Sequence, residues 1–506
     1  MTAELSPPRP ALAVAVRRPG VIPVAVAVVL LARLLEFRSG ASPDEGGFLA
    51  VAAQWHSGTS LYGNYWVDRP PGLITIFHLA DMLGGLIALR VIGALAAGAA
   101  VVILASCSRR VFGRRAAAWS AVVVAALLIT PLYGAVDVNG ELLSLPFIAL
   151  GFRFAIESVY TSERSLARVY AMLTGVAAVT ALMIKQNMAD VLIFAAVFWI
   201  GSAWTRRGTR PGRRAFAEQV VLAAIGSAIM YALVMLWAMA HGTSPLGVYD
   251  ATYPFRVKAA HVIATSTGHS ASTRLHYLSL AFLASGVPLL LFAFLILGVR
   301  RSRALPVVWS LIAVLAYSTV SILAGGSYWL HYLLESVPAV ALAAGATSLV
   351  APRLIRWATA LIAVSALVGA GIVTVHPTPT IGTTVGRAVG KVARPGDTMV
   401  MAFGDPDALR SSGLTSPYPY IWALPARVLD PDMALMRSIL AGPGAPTWLV
   451  VRNDETQGRL DRYGVSPLMQ RYRQVAVVCG RDIYLLDGVE RRTPVKLGAC
   501  GVALAP

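Results

Sequence analysis

Two carboxylates stand side by side, Asp44 and Glu45, at the start of the stretch SPDEGGFLAVAAQWHSGTSLYGNYWVDRPPG that runs from Ser42 to Gly72. The stretch closes on Asp68-Arg69-Pro70-Pro71-Gly72, with Trp55, His56, Tyr62, Asn64, Tyr65 and Trp66 between. A carboxylate so placed can take the proton of a hydroxyl as that oxygen attacks a carbon centre. An arginine can offset the negative charge of a departing group, a phosphate above all. The opposite, plain reading is that the acids cap a helix beginning at Gly46, where negative charge suits the helix dipole. Both can hold together. Apolar runs flank the stretch on either side, and ionisable groups at a membrane usually mark a site.

The rest of the chain sets that loop in a bilayer. Of 506 residues, 57% are hydrophobic and 13% charged, with mean hydropathy +0.66. Soluble domains carry about 25% charge. The apolar residues fall in runs of about 17–25, the length that crosses a bilayer core. This is a polytopic α-helical membrane protein. Its first run shows no small-residue cleavage site and should stay as an anchor. The net charge of +18 raises nucleic acid as a partner, but the basic residues sit in short clusters between apolar runs, as membrane orientation demands, and nucleic acid is set aside.

About eleven transmembrane helices are expected, at 21–37, 86–106, 116–132, 142–156, 169–184, 188–204, 220–240, 277–299, 306–324, 330–350 and 357–375, with 73–84 lying at the surface. Residues 1–19 form a cytoplasmic tail. Residues 20–375 form the membrane part, with outer loops 38–85, 133–141 and 241–276. Nineteen Lys/Arg then fall in inner segments and, up to residue 274, six in outer ones, so the acidic pair faces outward. After 376 the composition shifts. Strands are expected at 397–404 and 447–453, a hairpin at 472–480 and 481–487, and helices at 380–392 and 432–440. Residues 376–506 thus read as a small extracytoplasmic α/β domain. Cys479 and Cys500 can pair there in an oxidising compartment; two free thiols fit equally.

Further candidates lie in the outer segments. Asp137 and Glu141 frame an otherwise uncharged loop and either serve a site or cap the next helix. Lys185, in LMIKQNMADVL, either meets a phosphate or snorkels to the interface. Arg69, Arg256, Lys258 and Arg274 are outer cations, each a phosphate ligand or a solvated charge. Tyr65 and His331 complete the candidate binding set, His331 being equally a hydrogen-bonded structural histidine. No His/Cys cluster has zinc spacing. Asp44 and Asp137 could hold a hard divalent ion, Mg, Mn or Ca. Asp405 and Asp407 in FGDPD are ligands or simply a turn after a strand.

Several segments resemble a family. The acidic pair, DRPPGLITIFHLADMLGGLIALRVIGAL, the loop VDVNGELLSLP, the IKQN turn, GGSYWLHYLLESVPAVAL and the tail PGDTMVMAFGDPDAL with TWLVVRND and YRQVAVVCGRDIYLL resemble bacterial GT-C glycosyltransferases. The branch is the one that includes protein O-mannosyltransferases and the lipid A aminoarabinose transferase. The resemblance implies an inverting transfer of a sugar from a polyprenyl-phosphate carrier to an envelope acceptor (glycan, lipid or protein) at the outer face of the plasma membrane. It implies Asp44 as base, Asp137 as the second-loop acid, and Lys185 or Arg256 at the lipid phosphate. Mannose and arabinofuranose are candidate sugars. Two other classes compete. A lipid-linked-glycan transporter or flippase would need charges at mid-membrane depth, whereas these lie in outer loops. A non-catalytic scaffold would depend wholly on its outer binding domain, residues 380–506.

Overall fold

Within a bilayer every backbone N–H and C=O must be satisfied inside its own segment, so the apolar runs fold as helices. The computed structural model describes residues 20–35, 37, 39–205, 212–265, 270–302, 305–375, 381–452, 454–498 and 500. The expected tail 1–19, most of the basic turn 205–214 and the boundary at 376 lie outside the described residues. In chain order the helices are α1 (Val21–Leu35), α2 (Pro43–Ala53), α3 (Pro71–Met82), α4 (Leu86–Phe112), α5 (Arg114–Leu127), α6 (Gly140–Tyr160), α7 (Arg164–Ile184), α8 (Asp190–Thr205) and α9 (Arg213–Ala240). They continue as α10 (Pro245–Thr252), α11 (Pro254–Thr265), α12 (Ser270–Ala284), α13 (Val287–Ala293), α14 (Val299–Ser302), α15 (Pro306–Ala324), α16 (Val337–Val350) and α17 (Pro352–Val375).

Among the described residues, seven helical stretches are long and apolar enough to cross a membrane: α4, α6, α7, α9, α15, α17 and 330–350, the last formed by a 3-10 turn running into α16. Each of the eleven expected spans has a helical counterpart, with two differences. Three are short: α1, α5 and α8 have 15, 14 and 16 residues, about 21–24 Å of helix against a core of about 30 Å. The expected span 277–299 is broken, α12 and α13 meeting at 62°. Ser-Gly-Val-Pro at 285–288 is the cause. Gly286 takes a left-handed φ of 80°, and Pro288 sits in the first turn of α13.

Small residues bring the helices together. A Cβ on Gly175 of α7 would lie 1.9 Å from the Ala223 carbonyl of α9, and one on Gly226 of α9 would lie 2.1 Å from Met172 O. These two helices therefore pack backbone against backbone. Buried serines knit the centre: Ser108 Oγ donates to Ser120 Oγ (2.9 Å), and Ser120 Oγ donates to Ala341 O of α16 (2.6 Å). Charge collects at both ends of the bundle. At one end Arg110 and Arg153 pair with Glu157 (3.0 and 2.6 Å) and Arg168 with Glu218. The other end holds the loops and the acidic pair.

That loop end carries α2 and α3, short helices inside the first long loop, and α10 and α11 inside the third. The C-terminal region adds α18 (Ile381–Gly390), α19 (Pro406–Ser412), α20 (Ala423–Leu429) and a four-stranded sheet in the order β1-β2-β4-β3. The strands are β1 (Met399–Ala402), β2 (Trp448–Val451), β3 (Tyr472–Val478) and β4 (Arg481–Leu486). β1 and β2 run parallel, and β3–β4 is the expected hairpin, with a register shift at Gln474/Ala476. The expected helices at 380–392 and 432–440 appear as Ile381–Gly390 and Ala434–Ala441. A Cys479–Cys500 disulfide fastens the chain end to the β3–β4 turn.

One buried ion pair holds the loop end together. Glu45 is fully buried and accepts from Arg90 Nη2 (3.0 Å) and Val138 N (3.1 Å), while Arg90 also donates to Ser39 O (2.9 Å) and Gly40 O (2.8 Å). This ties α2 to α4, to the segment before α2 and to the turn before α6. Replacing Arg90 with Met strands a buried carboxylate, which costs about 3–5 kcal/mol. The expected result is a large fall in thermal stability in detergent, partly recovered by adding Glu45→Gln.

Candidate active site

The local sequence explains how α2 presents its acids. Ser42 is the N-cap and Pro43 sits in the first turn, where its missing N–H is no loss. Ser42 Oγ accepts from Glu45 N (3.2 Å), and Glu45 Oε2 accepts from Ser42 N (3.0 Å), a reciprocal capping box. The helix therefore begins at Pro43, not at Gly46, and Ser42 is the cap in place of the acids. Adjacent residues on a helix point about 100° apart. Glu45 turns inward to Arg90. Asp44 stays half-buried, and its Oδ1 accepts a hydrogen bond from Trp422 Nε1 at 3.1 Å.

The far end of the same loop supplies cations. Tyr62 donates to Arg69 O (2.6 Å) and Gln186 Nε2 to Asp68 O (3.1 Å), fixing this end against the α7–α8 turn. Asp68 bridges two arginines, Arg69 at 2.6 Å and Arg256 of α11 at 3.2 Å. Burial opposes the charge of Arg69, but Asp68, Asp44, Tyr332 and Glu141 outweigh it and raise its pKa. The same influences gather Asp44, Arg69, Glu141 and Tyr332 into one electrostatic neighbourhood.

A third cluster comes from the ends of the long helices. Asn139 caps α6, its Oδ1 accepting from Leu142 N (2.9 Å), and places Glu141 in the first turn. Lys185, the residue that ends α7, has its Nζ 2.8 Å from Glu141 Oε1, an ion contact whose angle falls short of a directed hydrogen bond. His331 Nε2 is 3.8 Å from the same oxygen, and Lys185 lies 5.4 Å from the centre of the Tyr332 ring. Beside it Glu335 Oε2 accepts from Asn187 (2.8 Å) and Ser321 (3.0 Å), and Asp190 Oδ1 from Ser318 (3.3 Å).

Asp44, Arg69, Arg256, Glu141, Lys185 and His331 thus share one electrostatic neighbourhood. The other candidates are placed differently. Glu45 is locked to Arg90. Tyr65 is buried, and its hydroxyl accepts from Ser416 N (2.8 Å), an anchor for the C-terminal region. Asp137 lies in the turn before α6, its carbonyl 3.5 Å from Asn139 Nδ2. Lys258 is exposed on α11. Residues outside the candidate set also matter at this end: Asp68, Asn187, Asp190, Glu335 and Trp422 beside these groups, and Arg90 beneath Glu45. Arg90, within LIALRVIGAL, carried the signal of a charge in an apolar run. Trp422 carried none.

The donor set does not suit a divalent ion. Among the described residues no three His, Cys, Asp or Glu side chains gather. Glu45, Asp68 and Glu141 are each matched by a protein cation. No step is derived through a metal at Asp44 and Asp137.

The C-terminal region closes over α2. Gly46 and Gly47 permit it: a Cβ on Gly46 would lie 2.5 Å from Asp407 Cα, and one on Gly47 would lie 2.4 Å from Trp422. Asp407 is thereby buried. It accepts from Thr383 Oγ1 (3.2 Å), leaving Oδ1 without a hydrogen bond. Asp405 pairs instead with Arg481 (2.7 Å).

No protein-family model matches the chain, and no curated protein does. Its fold is nevertheless known. The crystal structure of ArnT from Cupriavidus metallidurans bound to undecaprenyl phosphate matches over 92% of this chain and 97% of that one, with a TM-score of 0.62 and 17% identity. The same protein in the apo state gives 0.59 at 15% identity, over 92% and 96%. The Archaeoglobus fulgidus oligosaccharyltransferase, in complex with Zn and sulfate, gives 0.51 at 12% identity, over 90% and 71%. The chain has the GT-C fold, the one that the sequence resemblance pointed to.

Burial, and then the Asp405 charge, push the Asp407 carboxyl up to about 7. A folded value above that of a free aspartate, about 3.9, means that the contact is strongest where Asp407 is protonated. Its contribution is complete below about pH 4 and is lost as pH rises through 7, by up to about 4 kcal/mol. Asp407→Asn should flatten the fall in thermal stability between pH 5 and pH 8.

Proposed function

We propose that the protein is an inverting glycosyltransferase that moves a sugar from a polyprenyl phosphate to an acceptor at the outer face of the plasma membrane. The observation that carries this reading is the contrast among four acids at the loop end. Glu45, Asp68 and Glu141 are each ion-paired; Asp44 faces an indole N–H and has no ion pair among the described residues. It is the acid free to act as base. The fold supports the lipid donor, since an ArnT of the same architecture was crystallised with undecaprenyl phosphate. The arginines at the opposite end of the bundle support an outward-facing loop end.

In the proposed reaction Asp44 takes the proton of the acceptor hydroxyl. The acceptor oxygen bonds to the anomeric carbon from the face opposite the phosphate. The carbon–oxygen bond to phosphate breaks, and the lipid phosphate leaves with the electron pair. Arg69, Arg256 and Lys185 are the cations that would offset its charge. All three share their carboxylate partners with one another or with His331, so a phosphate can enter without stranding any of them. Mannose and arabinofuranose remain the candidate sugars, and an envelope glycan, lipid or protein the acceptor.

The test is donor turnover. Wild-type protein in nanodiscs is offered labelled decaprenyl- and undecaprenyl-phosphate sugars with membrane extract as acceptor. Transfer by the wild type, reduced at least about 100-fold in folded Asp44→Asn, is expected for loss of a general base. Arg256→Ala, which leaves Asp68 paired with Arg69, should lower kcat as well as raise the donor KM, so that kcat/KM falls roughly tenfold or more. Full transfer by Asp44→Asn would remove the base from this scheme. Lipid scrambling by the wild type without transfer would favour a flippase.

A further inference from the structure

Residues 416–422 of the C-terminal region lie on the first loop as though part of it. Ser416 N donates to Tyr65 Oη (2.8 Å) and Trp66 N donates to Pro419 O (3.1 Å). Trp422 ends the segment. Its ring packs on Phe48 with centroids 5.1 Å apart and fills the space that Gly47 leaves open. Its Nε1 meets Asp44 Oδ1 at 3.1 Å. The indole is therefore held by Phe48 and over Gly47 before it donates.

We propose that Trp422 is a positioning residue for Asp44, so that a segment from the far end of the chain completes the reaction site. The inference rests on the reading of Asp44 as base. The chemistry of the two groups carries it further. An aspartate turns easily about its last torsion, which is broad and two-fold. A carboxylate that must receive a proton from one direction gains from having that torsion set. Indole N–H can donate but cannot accept. It holds Oδ1 and cannot compete for the proton, so Oδ2 is left with its lone pairs for the acceptor hydroxyl. A hydroxyl or amide in its place could offer an acceptor atom of its own. Packing against Phe48 alone would need no nitrogen at this point of the ring.

The C-terminal region then does more than bind a partner. Its removal would leave Asp44 in place but unaligned, and would uncover Gly46 and Gly47.

Full-length Trp422→Phe, Trp422→His and Asp44→Asn, with the double variants, test the proposal in nanodiscs. Trp422→Phe keeps an aromatic ring on Phe48 and loses the N–H. Its kcat for transfer should fall about tenfold or more, as for loss of one hydrogen bond to a charged group, with donor KM within about twofold and a thermal stability matching that of Trp422→His, which loses the same ring atoms over Gly47. Trp422→His, whose Nε2–H reaches about as far, should recover part of that kcat. In the Asp44→Asn background the Phe change should have no further effect. A Trp422→Phe kcat within twofold of wild type overturns the proposal. So does an equal loss in both backgrounds, or a loss that follows stability and is the same for Phe and His. Absence of transfer by the wild type, or full transfer by Asp44→Asn, overturns the base reading and this inference with it.

Discussion

The loop end depends on the pair Glu45–Arg90. Neither ion is reached by water, and taking each out of solvent costs several kcal/mol, which only close and complete pairing offsets. The pairing is close here: four donors reach the Glu45 carboxylate, and two backbone carbonyls take two more of the five arginine protons. One ion pair thereby sets the position of α2 against α4 and the α6 turn. Everything that α2 presents, Asp44 first, inherits that position.

The second organising fact is charge balance across the helix ends. Asp68 between Arg69 and Arg256, and Glu141 between Lys185 and His331, form two shared sets with cations at the margin of an apolar bundle. Shared sets of this kind are held in place by their acids and still have donor capacity left over, since Arg has five N–H groups and Lys three. A rigid acid holding a cation for an anionic ligand is cheaper than a bare cation waiting in low dielectric. Glu335 and Asp190, both buried beside these sets, accept hydrogen bonds from the neutral donors Asn187, Ser321 and Ser318.

Much of this was legible in the residues. Runs of apolar length fixed the helical counterparts, and strand-length runs fixed the sheet, because both signals depend on local periodicity. The break at Ser285-Gly286 leaves no mark in the hydropathy of the sequence, because an apolar run hides a glycine's φ. The start of α2 lies three residues before Gly46 because Ser42-Pro43, with Glu45 three positions on from Ser42, forms the cap. Asp44, Arg69, Glu141, Lys185 and His331 stood out as charges at span ends. Arg90 was visible as a charge in an apolar run but could not be matched to Glu45, since a contact across 45 positions leaves no spacing to read. Trp422 was beyond reach for the same reason, and nothing in its own neighbourhood distinguishes it from a packing tryptophan.

The hydrogen bond from Trp422 to Asp44 spans 378 positions of sequence. On the ribosome, chains grow at about 5–20 residues per second, so the carboxylate is made roughly 20–80 s before the indole that meets it. The first loop must therefore wait, folded around Glu45 and Arg90 but open over Gly46 and Gly47, while the whole bundle is inserted. The last quarter of the chain closes it. A nascent or truncated chain carries the acid without its partner, and the contact itself reports that synthesis has passed Trp422.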